Sequence, residues 1–225
     1  MVKRVLIITF GFILSVFLCL LFLYPGKIAL YYNQGTSHFR DIEVVIYGDS
    51  IVRQGNDWNS KLGRADVLNC GYSGVTTAYL RARLEEDVIS YDPAYCLIWV
   101  GVNDIIQGRK VSVMLDDCQF MVNALESNGV TPVFVSVCPV RDNLGWNESI
   151  NAWNAELREY SRETGLMFID VHAVLTRDGE LPEKYTVDGI HLNRKAYSAV
   201  AIVIKNALSG NHRALLPRSS QNSPP

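Results

Sequence analysis

Five short, apolar, β-branched runs recur along the chain, each separated from the next by enough residues for a helix, and this alternation narrows the folds open to it. The runs are residues 42–48 (IEVVIYG), 65–71 (ADVLNCG), 95–101 (YCLIWVG), 132–138 (PVFVSVC) and 166–171 (LMFIDV). They are apolar on both faces, the pattern of parallel strands covered on either side by helices. The stretches between them carry helical spacing. Residues 76–90 place Leu80, Leu84 and Val88 at i, i+4 and i+8, and residues 112–127 stop at Asn128-Gly129, a good helix terminus. Residues 148–164 and 193–208 complete the set. Strands alternating with helices predict βαβ units in an α/β fold, a three-layer α/β/α sandwich around a mainly parallel five-stranded sheet.

A second feature precedes this domain. Residues 5–24 (VLIITFGFILSVFLCLLFLY) carry no charge, and twenty helical residues span about 30 Å, the thickness of a bilayer's hydrocarbon core. Lys3 and Arg4 come just before the run, so the positive-inside rule leaves the N-terminus cytoplasmic and sends the remainder across. Phe22, Leu23 and Tyr24 supply no small residue for signal cleavage, and Leu18 before Cys19 does not suit lipid attachment. The expectation is one N-terminal transmembrane helix acting as an uncleaved signal anchor over residues 1–24. Next come a tether (25–40), the α/β domain (41–209) and a flexible Ser/Pro-rich tail (210–225). Cleavage is the alternative, and would make the protein secreted.

Lys3 and Arg4 are the only charges among the first 24 residues, so the remaining 201 carry 19 basic and 23 acidic groups, net −4. Such a body offers no electrostatic footprint for nucleic acid and suits one domain rather than two. Cys70, Cys96, Cys118 and Cys138 form no CxxC pair and nothing resembling a zinc site; buried thiols are expected rather than disulfides. The triplet Asn147-Glu148-Ser149 is a possible glycosylation sequon.

In open parallel sheets ligands bind outside the carboxyl ends of the strands. Those ends carry Gly48-Asp49-Ser50, Asn69 through Gly74, Gly101-Val102-Asn103-Asp104 and Pro139 onward, with Asp188-Gly189-Ile190-His191 ahead of the last helix. A serine hydroxyl becomes nucleophilic when a base takes its proton, and its attack on an ester creates an oxyanion that needs donors. Ser50 follows the first strand; a helix-capping serine is the ordinary alternative. Of four histidines, His38 falls in the tether and His212 in the tail, leaving His191 and His172. Asp188 favours His191: three residues earlier in a turn, its carboxylate can hold one ring nitrogen and leave the other for Ser50. Asn103 can donate to an oxyanion or cap a helix, and Gly74 can present its N–H or serve a turn requiring positive φ.

The blocks GDS (48–50), GYSGVTT (71–77), GVND (101–104) and DGIH (188–191), in this order, resemble the SGNH, or GDSL-type, serine hydrolase/esterase family. The resemblance covers roughly residues 42–208, with Ile51 where the family name has Leu and Ala196 where relatives often have Gly. It implies a flavodoxin-like sandwich and a Ser50–His191–Asp188 triad. The oxyanion hole it implies is built from the Ser50 and Gly74 N–H groups and the Asn103 amide, with no metal or organic cofactor. Asp49 and Asp104 are expected to organise loops. Arg141 and Trp146, on a loop after the fourth strand, are candidate substrate contacts, for an anionic group and a sugar ring respectively. The expected substrate is a short acyl ester, acetyl first, on surface polysaccharide or peptidoglycan. A lysophospholipase- or thioesterase-type lipid hydrolase and an acyltransferase are the alternatives. A catalytically silent binding module is disfavoured by the presence of Ser50, Asp188 and His191 together. The expected partners are the ester substrate and, through the N-terminal helix, the membrane.

Overall fold

Strand β1 (Val44–Gly48) is buried along its whole length and sits near the middle of a five-stranded sheet. It pairs with β2 (Val67–Gly71) on one side and β3 (Tyr95–Trp99) on the other; β4 (Thr131–Val135) and β5 (Met167–Ile169) follow outward from β3. Every pairing is parallel, in the order β2-β1-β3-β4-β5. The chain moves from β1 to one neighbour and then returns to the other, so the end of β1 is the topological switch point where such sheets open a crevice. This is the flavodoxin-like order the family resemblance implies. The structure, a computed structural model, describes residues 41–210. The expected transmembrane segment, the tether and residues 211–225 of the expected tail lie outside them. Among the described residues no helix is long and apolar enough to cross a membrane.

Alternate residues of the strands feed two cores. Val45 and Tyr47 of β1 pack with Leu80 and Leu84 of α3 (Thr77–Asp87), Met114 and Met121 of α5 (Val111–Ser127), and Trp153 and Leu157 of α6 (Leu144–Thr164). Val44 and Ile46 face Val52 of α1 (Ser50–Gln54), Trp58 and Leu62 of α2 (Trp58–Leu62), and Val200 and Ile204 of α8 (Arg194–Gly210). Two helical layers therefore enclose the sheet, and each fully buried aliphatic side chain contributes ~1.5–3 kcal/mol relative to exposure. Cys70, Cys96, Cys118 and Cys138 are all free and buried in these cores.

The structure differs from the sequence expectation at the edges of elements. α6 starts at Leu144, not 148, because the Asn143 side chain accepts from the Trp146 N–H and caps the helix earlier. The segment 139–148 is therefore not one loop. α8 extends through Gly210, the first residue of the expected tail. Four short helices went unread: α1, α2, α4 (Val102–Ile106) and α7 (His172–Leu175). Four or five residues make barely one turn, too few to show a period.

Candidate active site

Ser50 is the first residue of α1, and its neighbour Asp49 rather than Ser50 is the cap: Asp49 Oδ1 accepts from the Ile51 N–H at 2.9 Å. The helix is short but heavily held. Its carbonyl at Val52 accepts from Trp58 Nε1 (3.0 Å) and Asn69 Nδ2 (3.1 Å), and Ile51 O accepts from the Tyr197 hydroxyl at 2.7 Å. Side chains from α2, β2 and α8 thus give second partners to two carbonyls that already share the Gly55 N–H. Gly48 lets β3 and α1 close on the end of β1, since a Cβ there would lie 2.0 Å from Trp99 O and 2.6 Å from Val52 Cγ2.

The opposite wall is the turn before α8. Asp188 Oδ1 accepts from the Ile190 and His191 N–H groups at 3.0 and 2.7 Å, while Oδ2 lies 2.6 Å from His191 Nδ1. Thr186 Oγ1 donates to His191 O and accepts from Gly189 N–H, both at 2.8 Å, closing the turn. His191 Nε2 then stands 3.0 Å from Ser50 Oγ. With Nδ1–H donated to Asp188, Nε2 is the ring's acceptor and faces the serine proton. Burial pushes the Asp188 carboxyl up, but hydrogen bonds from the His191 backbone and ring and from Ile190 outweigh it and hold the group below its ordinary range. Asp49 behaves oppositely. Burial pushes it up to about 7, against the lowering bond from Ile51 and with a further raise from Asp104.

Gly74 lies in an exposed turn after β2 with φ +76°, so the glycine serves a left-handed turn while leaving its N–H a candidate donor. Asn103 lies on α4 after β3, its Nδ2 donating to Val75 O at 2.9 Å. An amide nitrogen carries two hydrogens, so one is left to offer. Since β2, β1 and β3 are adjacent, Gly74, Ser50 and Asn103 all stand at one carboxyl edge of the sheet.

The other expected positions fall differently. Arg141 donates its backbone N–H to Gly189 O (2.8 Å), and its guanidinium pairs with Asp142 and Glu183; its charge is engaged by acids beside the Asp188 turn. Trp146 is not on a loop: it sits in the first turn of α6, partly buried against the core, so the loop placement is corrected. His172 begins α7, with Nδ1 3.0 Å from Thr176 Oγ1. His38 and His212 lie outside the described residues. Asn147 is 3% exposed with both ends of its amide bonded to Val140, which closes the sequon to modification in the folded state. The bracing of α1 by Asn69 and the bonding of Asp104 to Thr77 and Arg109 escaped sequence reasoning, because the strand-end segments that contain Asn69 and Thr77 do not reveal what those side chains meet.

Asp49, Ile51, Trp99, Val102, Val137, Cys138, Val140 and Ile190 line a small cleft flanking the serine, with room for about one water. Among the described residues no three His, Cys, Asp or Glu side chains are grouped to hold a metal ion.

Residues 46–199 match the model of the GDSL-like lipase/acylhydrolase family. The chain is 24% identical over 171 residues to an N-acylneuraminate cytidylyltransferase of Streptococcus agalactiae, a match covering 74% of this chain and 39% of that protein. It therefore spans about two fifths of that relative's length. It is 25% identical over 119 residues to an acetylxylan esterase of Geobacillus stearothermophilus, covering 48% of this chain and 54% of that one. Among solved structures, a GDSL-like lipase of Bacteroides thetaiotaomicron superposes with a TM-score of 0.71 at 20% identity, over 80% of this chain and 97% of the other. That last likeness is one of fold.

Proposed function

Because the chain belongs to the GDSL-like lipase/acylhydrolase family, we propose that it is a serine esterase that removes short acyl groups, acetyl first, from a polysaccharide or peptidoglycan. The observation that carries this reading is the hydrogen-bonded series Asp188–His191–Ser50, at 2.6 and 3.0 Å. In the proposed reaction Ser50 Oγ attacks the acyl carbon and its proton passes to His191 Nε2. The oxyanion accepts from the Ser50 and Gly74 N–H groups and from Asn103 Nδ2. His191 then returns the proton to the departing alcohol. Water attacks the acyl-serine, giving a proton to His191, and release of the carboxylic acid restores Ser50.

The short-acyl preference is supported by the similarity to a protein named as an acetylxylan esterase. A lipid-ester reading has one observation in its favour: Val187, adjacent to Asp188, is 66% exposed. The uncharged run 5–24 supports placing the enzyme on the outer face of a membrane, and resistance of the full-length chain to alkaline carbonate extraction tests that placement.

The decisive assay uses p-nitrophenyl esters of two, four and eight carbons with the full-length chain in detergent, beside Ser50→Ala. Turnover that falls with chain length and is lost in Ser50→Ala is expected. A rise toward eight carbons transfers the proposal to lipid esters, and full activity in Ser50→Ala removes the nucleophile assignment.

A further inference from the structure

Behind Gly74 and Asn103 lies a cluster of buried charges that the reaction above does not use. Asp104 is fully buried, Thr77 likewise, and Asp117 is 5% exposed. Arg109 reaches between the two carboxylates: Nη1 bonds Asp104 and also Thr77 Oγ1 (2.7 Å), and Nη2 bonds Asp117 Oδ2 at 2.9 Å. The Thr77 hydroxyl lies 2.8 Å from Asp104 Oδ1 and 2.9 Å from Asp117 Oδ2, and Arg81 adds a second cation on Asp117 Oδ1. Two acids and two arginines thus balance. Burying the two carboxylates is nevertheless costly, and an apolar filling of the same volume is often at least as stable. The cluster calls for a role beyond cohesion.

Its placement supplies one. The residue before α3, Thr76, makes no side-chain cap. Instead the Asp104 carboxylate, from α4, accepts the Thr77 N–H at 3.1 and 3.2 Å and caps that helix from outside. The preceding residue, Asn103, bonds Val75 O. Two successive residues of α4 therefore grip two positions, 75 and 77, of the segment that carries Gly74. We propose that Asp104, locked by Arg109, Asp117 and Thr77, is a positioning residue that sets the Asn103 amide and the Gly74 N–H in register as a pair of oxyanion donors. The inference rests on the serine-esterase reading and deepens it. A displacement of about 1 Å in such donors is enough to cost on the order of 10²-fold in rate, so a rigid charged clamp is worth its desolvation.

The test compares full-length wild type with Asp104→Asn, Thr77→Val, Thr77→Ser and Ser50→Ala on p-nitrophenyl acetate, well below each protein's thermal midpoint. The low-field proton resonance of the His191–Asp188 hydrogen bond serves as a readout of the triad. Asp104→Asn and the near-isosteric Thr77→Val are expected to lower kcat by roughly 10–100-fold with KM within about twofold and the resonance kept. Thr77→Ser, which returns the hydroxyl, is expected to restore kcat to within about threefold. Should Asp104→Asn not fold, the Thr77 pair decides. A folded Thr77→Val with wild-type kcat overturns the proposal, as does a loss of kcat accompanied by loss of the resonance. Ser50→Ala retaining turnover overturns the esterase reading itself, and this inference with it; its inactivity beside an unaffected Thr77→Val overturns the inference alone.

Discussion

His191 Nε2 stands 3.0 Å from Ser50 Oγ although 141 positions separate the two residues along the chain. The separation is spanned by helix docking. α8 follows His191 directly, and Tyr197 on its buried face donates to Ile51 O, the carbonyl next to the serine. The helix that follows the imidazole-bearing turn is therefore bonded to the helix that carries the hydroxyl.

That bond gives the first prediction. Tyr197→Phe keeps the ring, and its edge-on contact with Trp58, while removing a donor to a buried carbonyl. A loss of ~0.5–1.5 kcal/mol is expected, the net worth of one ordinary hydrogen bond, since Ile51 O keeps its longer bond from the Gly55 N–H at 3.3 Å. Urea unfolding of the two proteins measures it, and equal midpoints would show that the bond contributes nothing.

Asn103→Ala tests the proposed oxyanion donor. A fall in kcat of about 10²–10³-fold is expected, with a much smaller change in KM. Steady-state kinetics on p-nitrophenyl acetate separates the two constants; a change confined to KM would make Asn103 a binding residue.

Asp49 should leave a signature in the pH dependence of stability. Its carboxyl is pushed up to about 7, chiefly by burial, so the folded state binds this proton more tightly than the unfolded chain. The favourable difference is fully present below the ordinary carboxylate range, diminishes as pH rises toward 7, and is absent above it. The slope per group is at most about 1.4 kcal/mol per pH unit. Asp49→Asn keeps an oxygen for the Ile51 N–H but cannot ionise. Relative to wild type it should therefore gain stability progressively between about pH 4 and 7. Unfolding midpoints across that range decide the matter, and parallel curves would place the titration elsewhere.

Gly101 is set at φ +141°, and a Cβ there would lie 2.4 Å from the Trp153 indole nitrogen, which itself donates to Val100 O. Gly101→Ala is expected to destabilise by ~1–3 kcal/mol through backbone strain and overpacking. Because Gly101 caps α4, kcat should fall as well, through displacement of Asn103. Chemical denaturation together with kinetics reads both effects.

The fold class was legible because its signals are local. A run such as VVIYG is apolar on both faces whatever lies beside it, and the Leu80–Leu84 spacing marks a helix face within two turns. The site was legible in part for a chemical reason: Asp188 lies three residues from His191, so one turn contains both the ring and its orienting carboxylate. Trp146 was misplaced because Asn143 begins a helix where the Pro-, Asn- and Gly-containing composition suggests a loop. The one-turn helices α1 and α4 escaped because they are shorter than the period that would reveal them.

The alternation of strands and helices, the residues able to form an acyl-transfer site and the turn that pairs Asp188 with His191 are all written in short stretches of chain. The strand order that puts β1 between β2 and β3, the contact between His191 and Ser50, and the clamp of Asp104, Thr77, Arg109 and Asp117 arise only on folding. Periodicity is a property of neighbouring residues and can be read along the chain. A hydrogen bond between Thr77 and Asp117 joins residues 40 positions apart, and exists only once the hydrophobic faces of the helices have fixed where their polar ends meet.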